Sequence, residues 1–269
     1  MEETQGQAPG MSPVEPPEEE VELNHTDKIV GVFSEPGNTF ASIAKTGAKT
    51  SDWLIPLFLL IAVLILSTVV KFSNPQVKME MMQQTEKQMQ EMVDNGTLTQ
   101  EQADTRMEQV RQLYGGPIGI IFASISIIFG FLIAFFVIAT AFFIAAKFIL
   151  KGDGSYKDAL TAYGLPYYIA VIQAIVAVIL SVALGKYFEN ASVASFMDVQ
   201  QGTIISFLLG KLDVFSIWFY AVLSISLAKM FKSQSTAKYY AMVFGMWIGF
   251  GLIFFFIGKS VPFLAGFAR

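Results

Sequence analysis

Five apolar stretches without a single charged residue, at 53–70, 117–146, 159–185, 214–228 and 239–258, constrain this chain more than any other feature. A helix needs about 20 apolar residues to cross a hydrocarbon core roughly 30 Å thick, and four of the stretches meet that requirement unaided. The stretch 214–228 gives only about 22 Å at the helical rise, so its helix must run back through Asp213 toward Gly210 or the bilayer must thin. The expected fold is all-α: a polytopic membrane protein with a five-helix transmembrane bundle and an extramembrane helical hairpin between the first and second spans. With 54% hydrophobic and 15% charged residues, the chain has too little polar surface to cover a water-soluble domain of this size.

Composition excludes several kinds of chemistry. There is no Cys, so no disulfide, thiolate metal site or cysteine nucleophile is available, and the one His, His25, stands in a polar segment. No Ser–His arrangement exists, Gly185 and Lys186 lack the upstream glycine of a phosphate-binding loop, and no two carboxylates share a span. Neither enzyme activity nor a cofactor is expected. Eight acidic residues and no Lys or Arg fall within 1–27, and no basic patch suited to nucleic acid stands elsewhere.

Residues 1–27 are Pro- and Glu-rich and read as a disordered acidic tail. In 28–52, Ile29, Val32 and Phe33, then Phe40 and Ile43, form an amphipathic pattern broken at Pro36 and Gly37, and an interfacial position is expected. The bundle occupies 53–258 and a short tail follows at 259–269. The first 50 residues hold no apolar run of the length a secretory signal needs, and the first span is expected to direct its own insertion. Lys28, Lys45 and Lys49, then Lys147, Lys151 and Lys157, then Lys229, Lys232 and Lys238 lie on one side if the N-terminus is cytoplasmic. The short lysine-rich loops favour that orientation, with the C-terminus outside.

The insert at 75–114 breaks at Asp94, Asn95 and Gly96 and carries an apolar stripe on both halves, Met79, Met82, Met89 and Met92, then Ala103, Met107, Val110 and Leu113 or Tyr114, which predicts two antiparallel helices. Thr99 followed by Gln102 is a capping-box pattern for the second. Six of the 12 Met residues lie here. The sulfurs of Met79, Met82, Met89 and Met92 are candidate ligands for Cu(I), but no His supports them, and helical spacing favours packing.

Small residues recur every four positions in three spans: Ser126, Gly130 and Ala134; Ala177, Ser181 and Gly185; Ala241, Gly245 and Gly249. Such stripes let helix backbones approach closely, within the chain's own bundle as the favoured reading or against a partner chain. Polar groups inside spans are candidate sites, namely Thr140, Gln173 and Asp213. Gln173 and Thr140 suit interhelical hydrogen bonds. Asp213, expected near the outer interface, could pair with Lys211, Lys186 or a helix terminus.

Three segments carry a family resemblance. They are 33–70 with Pro36, Phe40 and Pro56; 151–166, reading KGDGSYKDALTAYGLP; and 213–229, reading DVFSIWFYAVLSISLAK. Together they resemble the membrane domain of the Ypt-interacting protein (Yip) family over about residues 33–258. The resemblance implies five spans, assigns Gly164 and Pro166 to the start of the third, and assigns Asp213, Ile217 and Trp218 to the fourth-span motif. It implies membrane scaffolding rather than catalysis, since eukaryotic relatives associate with Rab-type GTPases and with one another in vesicle traffic. The long Met-rich hairpin departs from those relatives and, with the short acidic tail, suggests a bacterial form in the inner membrane. Expected partners are membrane lipids, and a protein or second copy held through the hairpin or a small-residue face. Transport of a small solute or lipid is the alternative. It lacks an internal repeat, and five spans do not divide into halves.

Overall fold

The computed structural model describes residues 22–260 apart from Asn95, Gly115, Asp198 and Gln201. Every regular element among the described residues is helical. In chain order these are α1 (His25–Ser34), α2 (Pro36–Thr46), α3 (Thr50–Ser73), α4 (Pro75–Asp94), α5 (Gln100–Tyr114), α6 (Pro117–Ile144), α7 (Tyr156–Gly164), α8 (Tyr167–Leu184), α9 (Val193–Phe196), α10 (Ile204–Lys211), α11 (Val214–Met230) and α12 (Thr236–Ser260). A π-helical turn, Ala145–Ile149, ends α6, with the Leu150 amide reaching back to the Ala145 carbonyl. Most of the acidic tail, residues 1–21, and the C-terminal residues 261–269 lie outside the described residues.

Four helical segments are long and apolar enough to cross a membrane: Thr50–Ser73, Ile118–Ile149, Tyr156–Leu184 and Thr236–Gly258. The pair α10 and α11, bent by 64° at its break, is apolar enough to cross as one bent span, the fourth in chain order. Their outward faces carry bare hydrocarbon, with Phe129, Ile133 and Val137 of α6 each more than 60% exposed. Such a belt is stable only against lipid. The protein is an integral membrane protein.

Of the two ways to lengthen the fourth span, one continuous helix through Asp213 is not what forms. The Asp213 side chain accepts from the Phe215 and Ser216 amides at 2.8 and 3.4 Å, so it caps α11 and closes the helix there. A capping residue has extended backbone, and α10 therefore leaves at an angle.

The hairpin's turn and cap follow the sequence expectation, but on α4 the buried face falls on Val77 and Met81 instead of the expected stripe. Gly96 has φ +75° at the end of α4, and the Thr97 amide returns to the Met92 carbonyl. Thr99 and Gln102 exchange reciprocal hydrogen bonds of 3.2 and 3.0 Å, the predicted capping box. The residues buried around the hairpin are Val77, Met81, Leu98, Ala103 and Met107. Met79 is 59% exposed, while Met82, Met89 and Met92 are half-buried, so these four sulfurs do not share one buried seam.

Helices α1 and α2 fold onto the bundle rather than offering their apolar side to lipid. Val32, Phe40 and Ile43 are completely buried, α2 packs along α11, and Phe33 meets Trp218 edge-on at 5.6 Å. Asn24 caps α1 by accepting the Asp27 amide, so the first helix begins inside the segment read as tail. At the bundle's centre the rings of Trp53, Phe135, Tyr163, Tyr167 and Phe219 form one connected aromatic cluster.

Candidate functional site

The residues assigned by resemblance are fastening points. Pro36 stands at the first position of α2, where its missing N–H costs nothing, and Phe40 is the fully buried anchor one turn later. At Gly164 α7 meets α3 closely: a Cβ there would lie 2.5 Å from the Trp53 Cβ and 2.8 Å from its Cα. Pro166 then breaks the third span and starts α8. Trp218 receives α1 through Phe33, and on the same helix the Ser226 hydroxyl donates to the Ala162 carbonyl of α7 at 2.8 Å.

Asp213 is 1% exposed and sits against the third span, not at the outer rim. Gln173 donates to its Oδ2 at 2.6 Å and also reaches the Ser216 hydroxyl at 3.3 Å. At the helical rise Gln173 lies about 16 Å before the end of α8, so the carboxylate is deep within the bundle. Of the partners considered for Asp213, the helix terminus is the one found. Lys211 lies instead over the rings of Phe207 and Trp247, at 5.1 and 5.5 Å from their centroids. Thr140 donates to the Phe136 carbonyl of its own helix and meets the Tyr156 hydroxyl at 3.0 Å.

The strongest polar fastening joins residues that sequence reasoning did not pair. The Lys28 ammonium donates to both carboxylate oxygens of Asp52, at 2.8 and 3.0 Å, with both side chains at least 97% buried. Asp52 also accepts the Lys49 amide at 2.9 Å and so caps α3. His25 reaches the Tyr168 hydroxyl at 2.7 Å, which ties the start of α1 to α8. At the exposed edge Lys49 pairs with Glu22, and this hydrogen bond lowers the Glu22 carboxyl below its ordinary value and raises Lys49. One sequence signal existed: Lys28 stands one helical turn before Val32, on the apolar side of α1.

The KGDG turn is built to receive a side chain. Cβ atoms at Gly152 and Gly154 would each lie 2.8 Å from Phe231 atoms, so the ring occupies the space the glycines leave. The Gly152 and Asp153 amides donate to the Ala146 and Phe231 carbonyls and are not free to cradle a phosphate. Asp153 bridges Lys147 and Lys232 at 3.9 and 3.2 Å.

The three small-residue stripes behave differently. Ala177 and Ser181 are buried, and Ser181 accepts the Phe188 amide at 3.0 Å. Ser126, Gly130, Ala241 and Gly245 are exposed, Ala134 and Gly249 half-buried, and a Cβ at Gly130, Gly245 or Gly249 would meet nothing within 4 Å. For the second and fifth spans the favoured reading, close approach inside the chain's own bundle, is therefore corrected. The period selects a helix face but carries no information on what faces it.

Among the described residues no group of three or more His, Cys, Asp or Glu side chains converges. The polar groups lie at helix ends and between helices, where they hold the first, third and fourth spans together. A family profile described as Yip1 domain matches residues 30–259, a range that takes in α2 to α11 whole. No curated protein and no solved structure matches the chain. With the profile covering far more than half of its length, and with Asp52, Gly164, Gln173 and Asp213 inside the matched range, this chain belongs to the Yip1-domain family of membrane proteins.

Proposed function

We propose that the chain is a non-enzymatic membrane scaffold of the Yip type that recruits protein partners through its aqueous hairpin. The observation that carries this reading is the hairpin's placement. Helices α4 and α5 pack mainly on each other and on the spans they connect, α3 and α6, which leaves their outer faces uncommitted. The proposed division is an acidic tail (1–27) whose last residues, from Asn24, already belong to the cap and first turn of α1, a bundle-bound amphipathic segment (28–52), a membrane domain (53–258) that carries the hairpin (75–114), and a C-terminal tail (259–269). Positive charge in the short loops supports a cytoplasmic N-terminus and an outside C-terminus. If the source is bacterial, the membrane is the inner one.

Extraction in a native lipid patch followed by mass spectrometry tests the proposal. The expected result is a stoichiometric protein partner that is lost when residues 76–113 are deleted. Co-purification of a lipid or solute alone would overturn it.

Transport is the second reading, favoured by one observation: a span broken by 64° at a deeply buried carboxylate. Asp213→Asn separates the two. The asparagine oxygen still caps α11, and the Gln173 amide can rotate to offer its carbonyl to the new N–H. The scaffold reading therefore expects an unchanged assembly and a thermal midpoint close to that of the parent. Charge-coupled transport would collapse with the same change. Asp213→Ala removes the cap in either case and is expected to cost about 0.5–2 kcal/mol.

A further inference from the structure

Beside α12 runs a groove of about 600 Å³, walled on the other side by Ile149 and Leu150 at the end of the π-helical turn. Its α12 wall is apolar through Gly245, Gly249 and Ile253, and its one charged residue, Lys238, stands at one end. From Lys238 to Ile253 the helix rises about 22 Å, more than the roughly 15 Å depth of one leaflet. Lys238 is exposed, and no carboxylate among the described residues pairs with it. Lys151, directly after Leu150, adds a second exposed and unpaired cation beside this wall.

We propose that this groove binds one acyl chain of an anionic phospholipid whose phosphate is held by Lys238. The arrangement is a cation at the headgroup end of a narrow hydrocarbon wall, the shape and charge that a single lipid presents in reverse. A second copy fits less well. Copies inserted in the same direction place the same end at the same level, and a two-fold contact along this groove sets Lys238 against Lys238. That repulsion would lie in a poorly hydrated interface, whereas a phosphate neutralises it.

The test uses the full chain in nanodiscs of mixed phosphatidylglycerol and phosphatidylcholine, with retained lipid read by native mass spectrometry. The parent is expected to retain phosphatidylglycerol preferentially. Lys238→Gln is expected to lower that preference about fivefold, the effect of one lysine at a membrane surface. Gly245→Leu puts a side chain into the groove from a position where a Cβ meets nothing within 4 Å, and is expected to release the lipid while helical content stays unchanged. Since the chain has no Cys, Gly249→Cys supplies a single reporter thiol. Its cross-linking to a photoactivatable phosphatidylglycerol supports the site. An efficient disulfide between copies, or lipid retention unaltered in both Lys238→Gln and Gly245→Leu, overturns it.

Discussion

Lys28→Ala is expected to destabilise the protein by about 3–5 kcal/mol, the usual consequence of stranding one member of a buried ion pair. Lys28 and Asp52 are 3% and 1% exposed, so water cannot replace the lost ammonium without opening the contact between α1 and α3. Asp52 has a second duty as the cap of α3, which fixes its carboxylate in place and prevents it from swinging toward solvent. The side chain of α1 that anchors this pair also brings Val32 and Phe33 onto the bundle. Loss of the charge should therefore loosen α1 as a unit. Denaturant titration of the solubilised protein measures the effect, with Lys157→Ala, an exposed lysine of the KGDG side, as the reference. The double variant Lys28→Met with Asp52→Leu should recover part of the loss, since it leaves no buried charge unpaired. It should still fall short of the parent by about 1 kcal/mol for the missing cap. A Lys28→Ala midpoint equal to that of Lys157→Ala would contradict the assignment.

The spans were legible in the sequence because length and the absence of charge are local properties. So were the hairpin's turn and cap, since Gly96, Thr99 and Gln102 act within a few residues of each other. The fastening of the bundle was not legible, because Lys28 meets Asp52 across 24 residues and Gln173 meets Asp213 across 40, and no periodicity records such pairings. The bend at the fourth span was hidden for a related reason. Residues 204–209 are as apolar as the span itself, and only the side-chain cap of Asp213 decides where one helix ends. Small-residue periodicity was visible on three helices, but whether the face meets protein depends on neighbours that the helix does not encode.

Two glycines of this bundle should respond to the same substitution with opposite signs. At Gly164 a new Cβ meets not only the Trp53 Cβ at 2.5 Å but its Cα at 2.8 Å, so a side-chain rotation cannot relieve the contact and the helices themselves must separate. Trp53 stacks on Phe135, which stacks on Tyr163, the residue preceding Gly164. Separation of α3 from α7 thus opens the aromatic cluster and tugs Asp52, adjacent to Trp53, away from Lys28. Gly164→Ala is expected to lower stability by about 1–3 kcal/mol, the range of overpacked cores, and Gly164→Leu to prevent the bundle from closing. At Gly130, in the middle of α6, nothing stands within 4 Å of a Cβ. There the substitution only removes the helix penalty of glycine, and Gly130→Ala is expected to raise stability by up to about 1 kcal/mol. Paired unfolding curves of the two alanine variants in one detergent measure the difference. If Gly164→Ala proved as stable as Gly130→Ala, the close approach of α3 and α7 would not be what holds the third span in place.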